Sequence, residues 1–159
     1  MGVSIKLYRV KKANKIEEVE DLERELKNAE SNLVDLYKVF HDILMVLKNS
    51  IEPYGGAITN ESKAIMGNKI NIQSGYRQCV GFIPTEEVKE INAWIKKSGI
   101  ETQEGFANIY DNLNEEVKQE LLDFGSPDKN EMFEFYLNNL VSFYKEAESN
   151  ENSVVICAE

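Results

Sequence analysis

The chain has 159 residues, 42% of them apolar and 29% charged, which supports a folded core and argues against disorder. Its 28 Asp and Glu outnumber 18 Lys and Arg, and the net charge of −10 disfavours nucleic acid and anionic membranes as partners. Without a signal-peptide pattern, a run of roughly 18 apolar residues or a set of closely spaced cysteines, the sequence predicts a cytoplasmic protein with reduced thiols and no membrane contact.

Strands are predicted at both ends of the chain. Residues 4–10 alternate between two faces, as in a half-buried strand, and residues 152–158 contain a short apolar run typical of a buried strand. Two terminal strands that enclose mostly helical sequence are expected to pair with each other. Further strands are predicted at residues 78–83 and, from a weaker pattern, at residues 69–73.

A long helical pattern follows the first strand. Apolar residues recur at alternating intervals of three and four from Val19 to Leu47, the spacing of a coiled-coil seam. A free-standing coiled coil, one long helix packed along the domain and two successive helices all fit this pattern. Residues 28–32 are the place where the helix could be interrupted, and the spacing alone leaves the choice open.

Capping residues mark the later helices. Gly67 and Gly125 are expected to end two of them. The residues expected to begin helices are, in chain order, Asn60, Thr85, Asn114 and Ser126. The sequence therefore predicts one α+β domain over residues 1–159, mostly helical, with a small sheet that includes the N- and C-terminal strands.

Groups for conventional catalysis are few. The chain has one histidine, His41, and two distant cysteines, Cys79 and Cys157. It contains no phosphate-cradling glycine loop, no nucleophile elbow and no zinc-ligand pattern, so we expect no metal, no cofactor and no catalytic residue. His41 is interpreted as a packed helix histidine, with a general base or pH-sensing contact as the alternative. Cys79 is interpreted as a small buried hydrophobe.

Acidic and aromatic residues are the candidates for partner binding. The acidic run at 17–25 is either a docking surface for a basic partner or the solvated face of an amphipathic helix. The glycine-rich loop at 54–60 suits binding as well as plain connection. Trp94 and Tyr76 are interpreted as interface anchors, with packing in the core or at its rim as the alternative for both. The residues predicted to contact a partner are Glu17, Glu18, Asp21, Tyr54, Tyr76 and Trp94.

Several short motifs resemble the YfbM-like family of bacterial proteins (domain of unknown function 1877). The segment 37–41, Tyr-Lys-Val-Phe-His, is similar to the family's Trp-x-x-Leu-His helix, with two replacements, and the Leu-Thr-Gly that usually follows is absent. The segment 62–67, Ser-Lys-Ala-Ile-Met-Gly, resembles the family's Leu-Ser-x-Ala-Ile-Leu-Gly, with Glu61 in the place of the first leucine. Similar stretches at 75–76, 82–88, 109–110 and 143–147 complete the resemblance.

The resemblance implies a compact α+β domain without an established catalytic activity. Tyr37, His41 and Ser62 are positions where the family motifs and the residue-level interpretation meet, so they are the expected members of any shared cleft. The immunity factor of a Gram-positive NAD-glycohydrolase toxin is also similar to members of this family, which implies inhibition of a toxin enzyme as one possible role.

The function hypothesis that fits these observations is a non-enzymatic inhibitor. Its acidic side chains and an exposed aromatic residue would occupy the positively charged cleft of a toxin enzyme, one that consumes NAD if the resemblance extends that far. The alternatives are a small-molecule-binding or regulatory domain with a cleft near His41 and Ser62, and a hydrolase that uses His41 with carboxylates.

Overall fold

The computed structural model describes residues 3–11, 16, 18–27, 29 and 33–159. Within this part of the chain the strands are β1 (Ile5–Val10), β2 (Leu33–Asp35), β3 (Asn68–Ser74), β4 (Arg77–Ile83) and β5 (Ser153–Ala158). They form one antiparallel sheet in the order β2-β1-β5-β4-β3. The predicted pairing of the terminal strands is confirmed, with Leu7 opposite Ile156 at the centre of the β1–β5 ladder.

The helices of the described residues connect these strands. They are α1 (Val19–Lys27), α2 (Phe40–Lys48), α3 (Asn60–Met66), α4 (Thr85–Ser98), α5 (Gln103–Asp111) and α6 (Glu115–Asp123). A last helix, α7, consists of Lys129–Met132, a π-helical segment at Phe133–Leu137 and Asn138–Ser149. A 3₁₀ turn at Tyr37–Val39 leads into α2. No helix in the described ranges is long and apolar enough to cross a membrane.

The segment with coiled-coil spacing is not one helix. It contains α1, then strand β2, then α2, so both the coiled coil and the single long helix are wrong. Val34 of β2 lies opposite Leu7 of β1, and the ladder satisfies backbone groups that a helix would satisfy internally. Because apolar spacing records burial and not backbone conformation, Leu36 keeps its place in the core after a strand as well as it would inside a helix.

The sheet is covered on both faces. Side chains of a strand alternate between faces, so Ile5 and Leu7 point to one side of β1, and Tyr8 and Val10 point to the other. The first side carries the larger core, with α2 to α7, and the second carries a smaller core with α1. Burial on both sides explains why β5 reads as a continuous apolar run.

Three of the predicted helix caps, Asn60, Thr85 and Ser126, are displaced by one or two residues. Thr59, not Asn60, caps α3, and its Oγ1 accepts the N–H of Ser62. Asp128, not Ser126, caps α7. Asn114 precedes α6 as predicted, although its side chain makes no capping hydrogen bond. Neighbouring residues of similar chemistry compete for a cap, and backbone geometry decides between them.

Two residues of β5, Ser153 and Cys157, pair with side chains for which the sequence predicted another role. Thr85 is the first residue of α4 and does not cap it, and its hydroxyl lies 3.0 Å from the buried hydroxyl of Ser153. Cys79 and Cys157 form a disulfide, with their Cα atoms 4.0 Å apart, which overturns the expected free thiols. Their separation in sequence hides the fact that the β4–β5 register places them opposite each other.

Candidate interaction surface

Three aromatic rings meet on the side of the sheet that carries α2 to α7. Nδ1 of His41 lies 2.9 Å from the hydroxyl of Tyr54, and the two rings stack with centroids 5.4 Å apart. The ring of Phe124 stands edge-on to His41 at 6.2 Å. Tyr54 is 56% exposed and Phe124 is 61% exposed. We call these three residues the aromatic patch.

Two sets of hydrogen bonds fix the elements that carry the patch. The ammonium of Lys48, in the last turn of α2, donates to the carbonyl oxygens of Pro53 at 2.8 Å and Gly55 at 3.3 Å, which holds the Tyr54 loop. Oδ1 of Asn49 accepts the N–H of Asn114 at 2.9 Å and ties the end of α2 to the start of α6. These bonds hold the Tyr54 loop and the start of α6 against the end of α2.

The helix that leads to the patch is acidic. Helix α6, which leads to Phe124, carries the acidic residues Glu115, Glu116, Glu120 and Asp123 against a single cation, Lys118. Most of these carboxylates lie on the exposed face of the helix.

A half-buried carboxyl lies next to His41. Burial raises the pKa of Asp42, while the Ser126 hydroxyl and the charge of His41 act in the opposite direction. Burial, and then the charge of Asp42, raise the pKa of Tyr54. The phenol of Tyr54 therefore stays protonated at neutral pH, and the tautomer of the imidazole decides which group donates in its contact with Nδ1 of His41.

A separate groove of about 680 Å³ runs between β2 and α7. Its walls include Tyr37, Phe135 and Tyr136, and the rings of Tyr37 and Tyr136 meet edge-on with centroids 6.4 Å apart. Arg9 lies at its base, where its guanidinium is 3.0 Å from the carboxylate of Glu146. We call this the β2–α7 groove.

Both walls of the β2–α7 groove have irregular backbone. Tyr37 has a φ of +50°, a left-handed conformation that is unfavourable for a bulky residue. Oδ1 of Asp35 stabilises it by accepting the N–H of Tyr37 at 2.7 Å. The opposite wall is the π-helical segment Phe133–Leu137. Such irregularities concentrate at functional sites, which makes this groove a second candidate surface.

The third candidate surface is a cavity of about 470 Å³ beneath the loop 53–58. Its walls are mainly apolar and include Leu44, Ile58 and Val80. Two lysines, Lys48 and Lys69, also line it. We call it the loop pocket.

The three residues predicted to share a cleft separate in the structure. His41 belongs to the aromatic patch, Ser62 lines the loop pocket, and Tyr37 lines the β2–α7 groove. Tyr54 joins the first two, since it contacts His41 and lines the loop pocket.

The predicted partner-binding residues lie on several faces. Glu18 and Asp21 are at the start of α1, which covers the sheet face opposite the aromatic patch. Tyr76 is highly exposed beside Arg77, whose guanidinium lies 5.5 Å from its ring centroid. Trp94 is half-buried on α4 beside a shallow depression. Glu17 lies outside the described residues.

Sequence reasoning missed Phe124 and Phe135 as surface residues. The apolar stripe of α6 predicts Phe124 to be buried, yet it ends the helix beside Gly125, which has a φ of +64°, and it points outward. The position next to a helix-ending glycine was the available signal. Phe135 lies within the π-helical segment and is 59% exposed.

The described residues contain no group of three or more His, Cys, Asp or Glu side chains placed to hold a metal. Both cysteines are bonded to each other and offer no thiolate. The candidate surfaces among the described residues are the aromatic patch, the β2–α7 groove and the mainly apolar loop pocket.

The antiparallel sheet covered by helices on both faces defines a small α+β domain. The chain belongs to the family described as domain of unknown function (DUF1877), whose model matches residues 1–157. Its fold is similar to that of YfbM from Escherichia coli, a protein of unknown function, with a TM-score of 0.58 and 10% identity over 99% of this chain and 100% of that one. The YfbM-like resemblance is thereby confirmed. A search of the curated proteins finds no match.

Proposed function

We propose that this protein is a non-enzymatic inhibitor that binds an enzyme and blocks its positively charged active-site cleft, as an immunity protein does for a toxin. The observation that carries the proposal is the aromatic patch, in which exposed rings of Tyr54 and Phe124 flank His41 beside an acidic helix.

The patch has the features of a binding hot spot. Interface energy concentrates in a few large aromatic or Arg side chains that are surrounded by polar groups. The ring of Tyr54 is positioned by its contact with His41 and by the Lys48 hydrogen bond to its loop. Asn49 holds the start of the helix that leads to Phe124. Rings that are already ordered lose little conformational entropy on binding, so more of the contact energy appears as affinity.

The charge of the patch defines the chemistry of the partner. Carboxylates of α6 complement a basic cleft, and the net charge of −10 accelerates encounter with it. Basic side chains in a cleft are one way in which an enzyme binds a phosphate-bearing substrate such as NAD. A toxin that consumes NAD therefore fits the proposal, and it agrees with the immunity-factor resemblance of the family.

Capture from the host bacterium tests the proposal. The wild-type chain and the variants Phe124→Ala and Phe135→Ala serve as baits, because Phe124 and Phe135 are exposed to 61% and 59% but belong to the patch and the β2–α7 groove respectively. We expect the wild type and Phe135→Ala to retain one enzyme that Phe124→Ala releases. Loss of a hot-spot ring typically costs about 2 kcal/mol or more, which is roughly 30-fold in affinity.

The captured enzyme must also lose activity when the wild-type chain is added. A captured protein that keeps full activity contradicts inhibition. Retention by Phe124→Ala but not by Phe135→Ala contradicts the choice of surface. Turnover of a metabolite by the purified chain, abolished in His41→Ala, would favour the hydrolase alternative.

A further inference from the structure

The loop pocket differs from the rest of the surface in its charge. Its charged lining residues are Lys48 and Lys69, and no carboxylate lines it, although acids outnumber bases 28 to 18 in the chain. Neither lysine forms an ion pair with a carboxylate of the described residues. From this composition, a pocket is expected to have more acidic than basic lining residues, and the loop pocket has the reverse.

The arrangement of Lys48 leaves it able to bind an anion. Two of its N–H groups are directed to the carbonyl oxygens of Pro53 and Gly55, and an ammonium has three. These bonds hold the charge at the pocket wall without neutralising it. Lys69 adds a second, exposed ammonium from β3.

The remainder of the lining is suited to an apolar body. Leu44, Met66, Ile70 and Val80 form walls, and Ile58 of the loop is 59% exposed beside them. A cavity of about 470 Å³ lies within the usual size range of small-molecule sites, which are mostly apolar with a few fixed polar groups. Ser62 supplies one such polar group.

We infer that the loop pocket binds a small apolar molecule that carries one anionic group, with the anion at Lys48 and Lys69 and the apolar body against Ile58 and Val80. The class is that of a medium-chain carboxylate. This inference goes beyond the inhibitor proposal. Tyr54 and Lys48 belong to both surfaces, but ligand binding to the loop pocket can be measured in the absence of any protein partner.

Calorimetric titration of the purified chain with decanoate tests the inference, and decanol and decyltrimethylammonium serve as controls of equal chain length. The net charge of −10 would make non-specific association favour the cation. Specific binding of the anionic group at Lys48 and Lys69 would favour decanoate over the cation, so we expect decanoate to bind more tightly than either control. Resonances of Ala57 and Val80, two lining residues, should shift during the titration.

Charge reversal identifies the lysine contribution. Lys69→Glu should weaken decanoate binding by about tenfold or more, because it replaces attraction by repulsion at the pocket. Lys89→Glu makes the same charge change on the exposed face of α4 and should leave binding unchanged. Ile58→Ser, which removes part of the apolar wall, should also weaken binding without changing charge.

Three results overturn the inference. They are absence of decanoate binding to the folded wild-type chain, binding of decyltrimethylammonium as tight as that of decanoate, and equal effects of Lys69→Glu and Lys89→Glu. Each of them leaves the inhibitor proposal unchanged, because no partner enzyme takes part in these measurements.

Discussion

At the residue scale, Asn49 combines two tasks that few residues can perform. It ends α2 in the left-handed conformation, with φ of 50° and ψ of 51°, which asparagine and glycine tolerate best. Its side chain also accepts the N–H of Asn114 at 2.9 Å and so connects α2 to α6. The position of Phe124 at the far end of α6 depends on that connection.

A matched pair of substitutions separates the two tasks of Asn49. Asn49→Gly keeps the backbone conformation and loses the hydrogen bond, so the free energy of unfolding should fall by about 1 kcal/mol. Asn49→Ala adds the strain of a left-handed alanine and should lower it by about 2 kcal/mol. Urea denaturation measures both, and an equal loss in the two variants would show that the backbone conformation is unimportant.

The half-buried carboxyl of Asp42 predicts a pH dependence of stability. Its pKa is raised in the folded state because burial disfavours the carboxylate, so the folded chain holds this proton to higher pH than the unfolded chain does. Its contribution therefore lowers stability as pH rises from the unfolded pKa of about 4 through the raised folded pKa.

Asp42→Asn removes this titration while keeping the side-chain shape. The difference in Tm between the variant and the wild type should become more favourable to the variant from about pH 4 to about pH 7. Thermal denaturation across this range checks the sign. A difference that stays constant with pH, or that turns against the variant, contradicts the role of burial.

At the element scale, the disulfide joins the central strand β5 to its neighbour β4. Cys79 and Cys157 are 78 positions apart, so the bond closes a long loop and restricts the unfolded chain. Replacing both cysteines by alanine should lower the free energy of unfolding by about 2–4 kcal/mol. Denaturation of the wild type with and without reductant provides the control. Two alkylatable thiols in the unreduced, unfolded protein would contradict the bond.

Strand β4 also packs unusually close to the end of α3. A Cβ atom added to Gly81 would overlap the carbonyl group of Met66, which is backbone and cannot rotate away. Gly81→Ala should therefore lower the free energy of unfolding by about 1–3 kcal/mol, the usual range for overpacking. Gly55→Ala is the control, since the nearest atom to its added Cβ would be 3.9 Å away. Similar stability of the two variants would contradict this close contact.

The sequence predicts the terminal strands and several helices because their signals are local. Alternation of apolar residues in β1, the apolar run in β5 and Asn114 before α6 are visible in a few residues. Strand β2 was missed because apolar spacing does not distinguish a short edge strand from an interrupted helix. Helix α5 was also missed, although Thr102 caps it.

The candidate surface was harder to predict because it joins distant parts of the chain. His41 and Tyr54 were recognised separately, but the hydrogen bond between them requires the loop 53–58 to fold back on α2. Phe124 was placed in the core because it continues an apolar stripe. The disulfide depends on strand register, which residue spacing does not reveal.

At the scale of the whole molecule, acidic side chains are present on both sides of the sheet, but the aromatic patch lies only on the side that carries α2 and α6. The inhibitor proposal therefore predicts that charge near the patch governs association. The double variant Glu116→Gln and Asp123→Asn should slow association with the captured enzyme at low salt, and the difference should shrink as salt screens the charges.

The control for this prediction makes the same charge change on α1. Glu18→Gln with Asp21→Asn lies on the opposite face of the sheet and should change the association rate less. Stopped-flow kinetics at several NaCl concentrations compare the two pairs. A larger effect of the two α1 substitutions would indicate that the acidic run at 17–25 is the docking surface. An association rate that does not depend on salt would contradict electrostatic steering.

The most direct test of the central claim is the inhibition constant of the chain against its captured enzyme, measured for the wild type, Phe124→Ala and Phe135→Ala. We predict strong inhibition by the wild type and by Phe135→Ala, and a loss of roughly 30-fold or more for Phe124→Ala. Equal inhibition by all three proteins, or no inhibition by the wild type, would contradict the claim that the aromatic patch blocks the cleft of an enzyme.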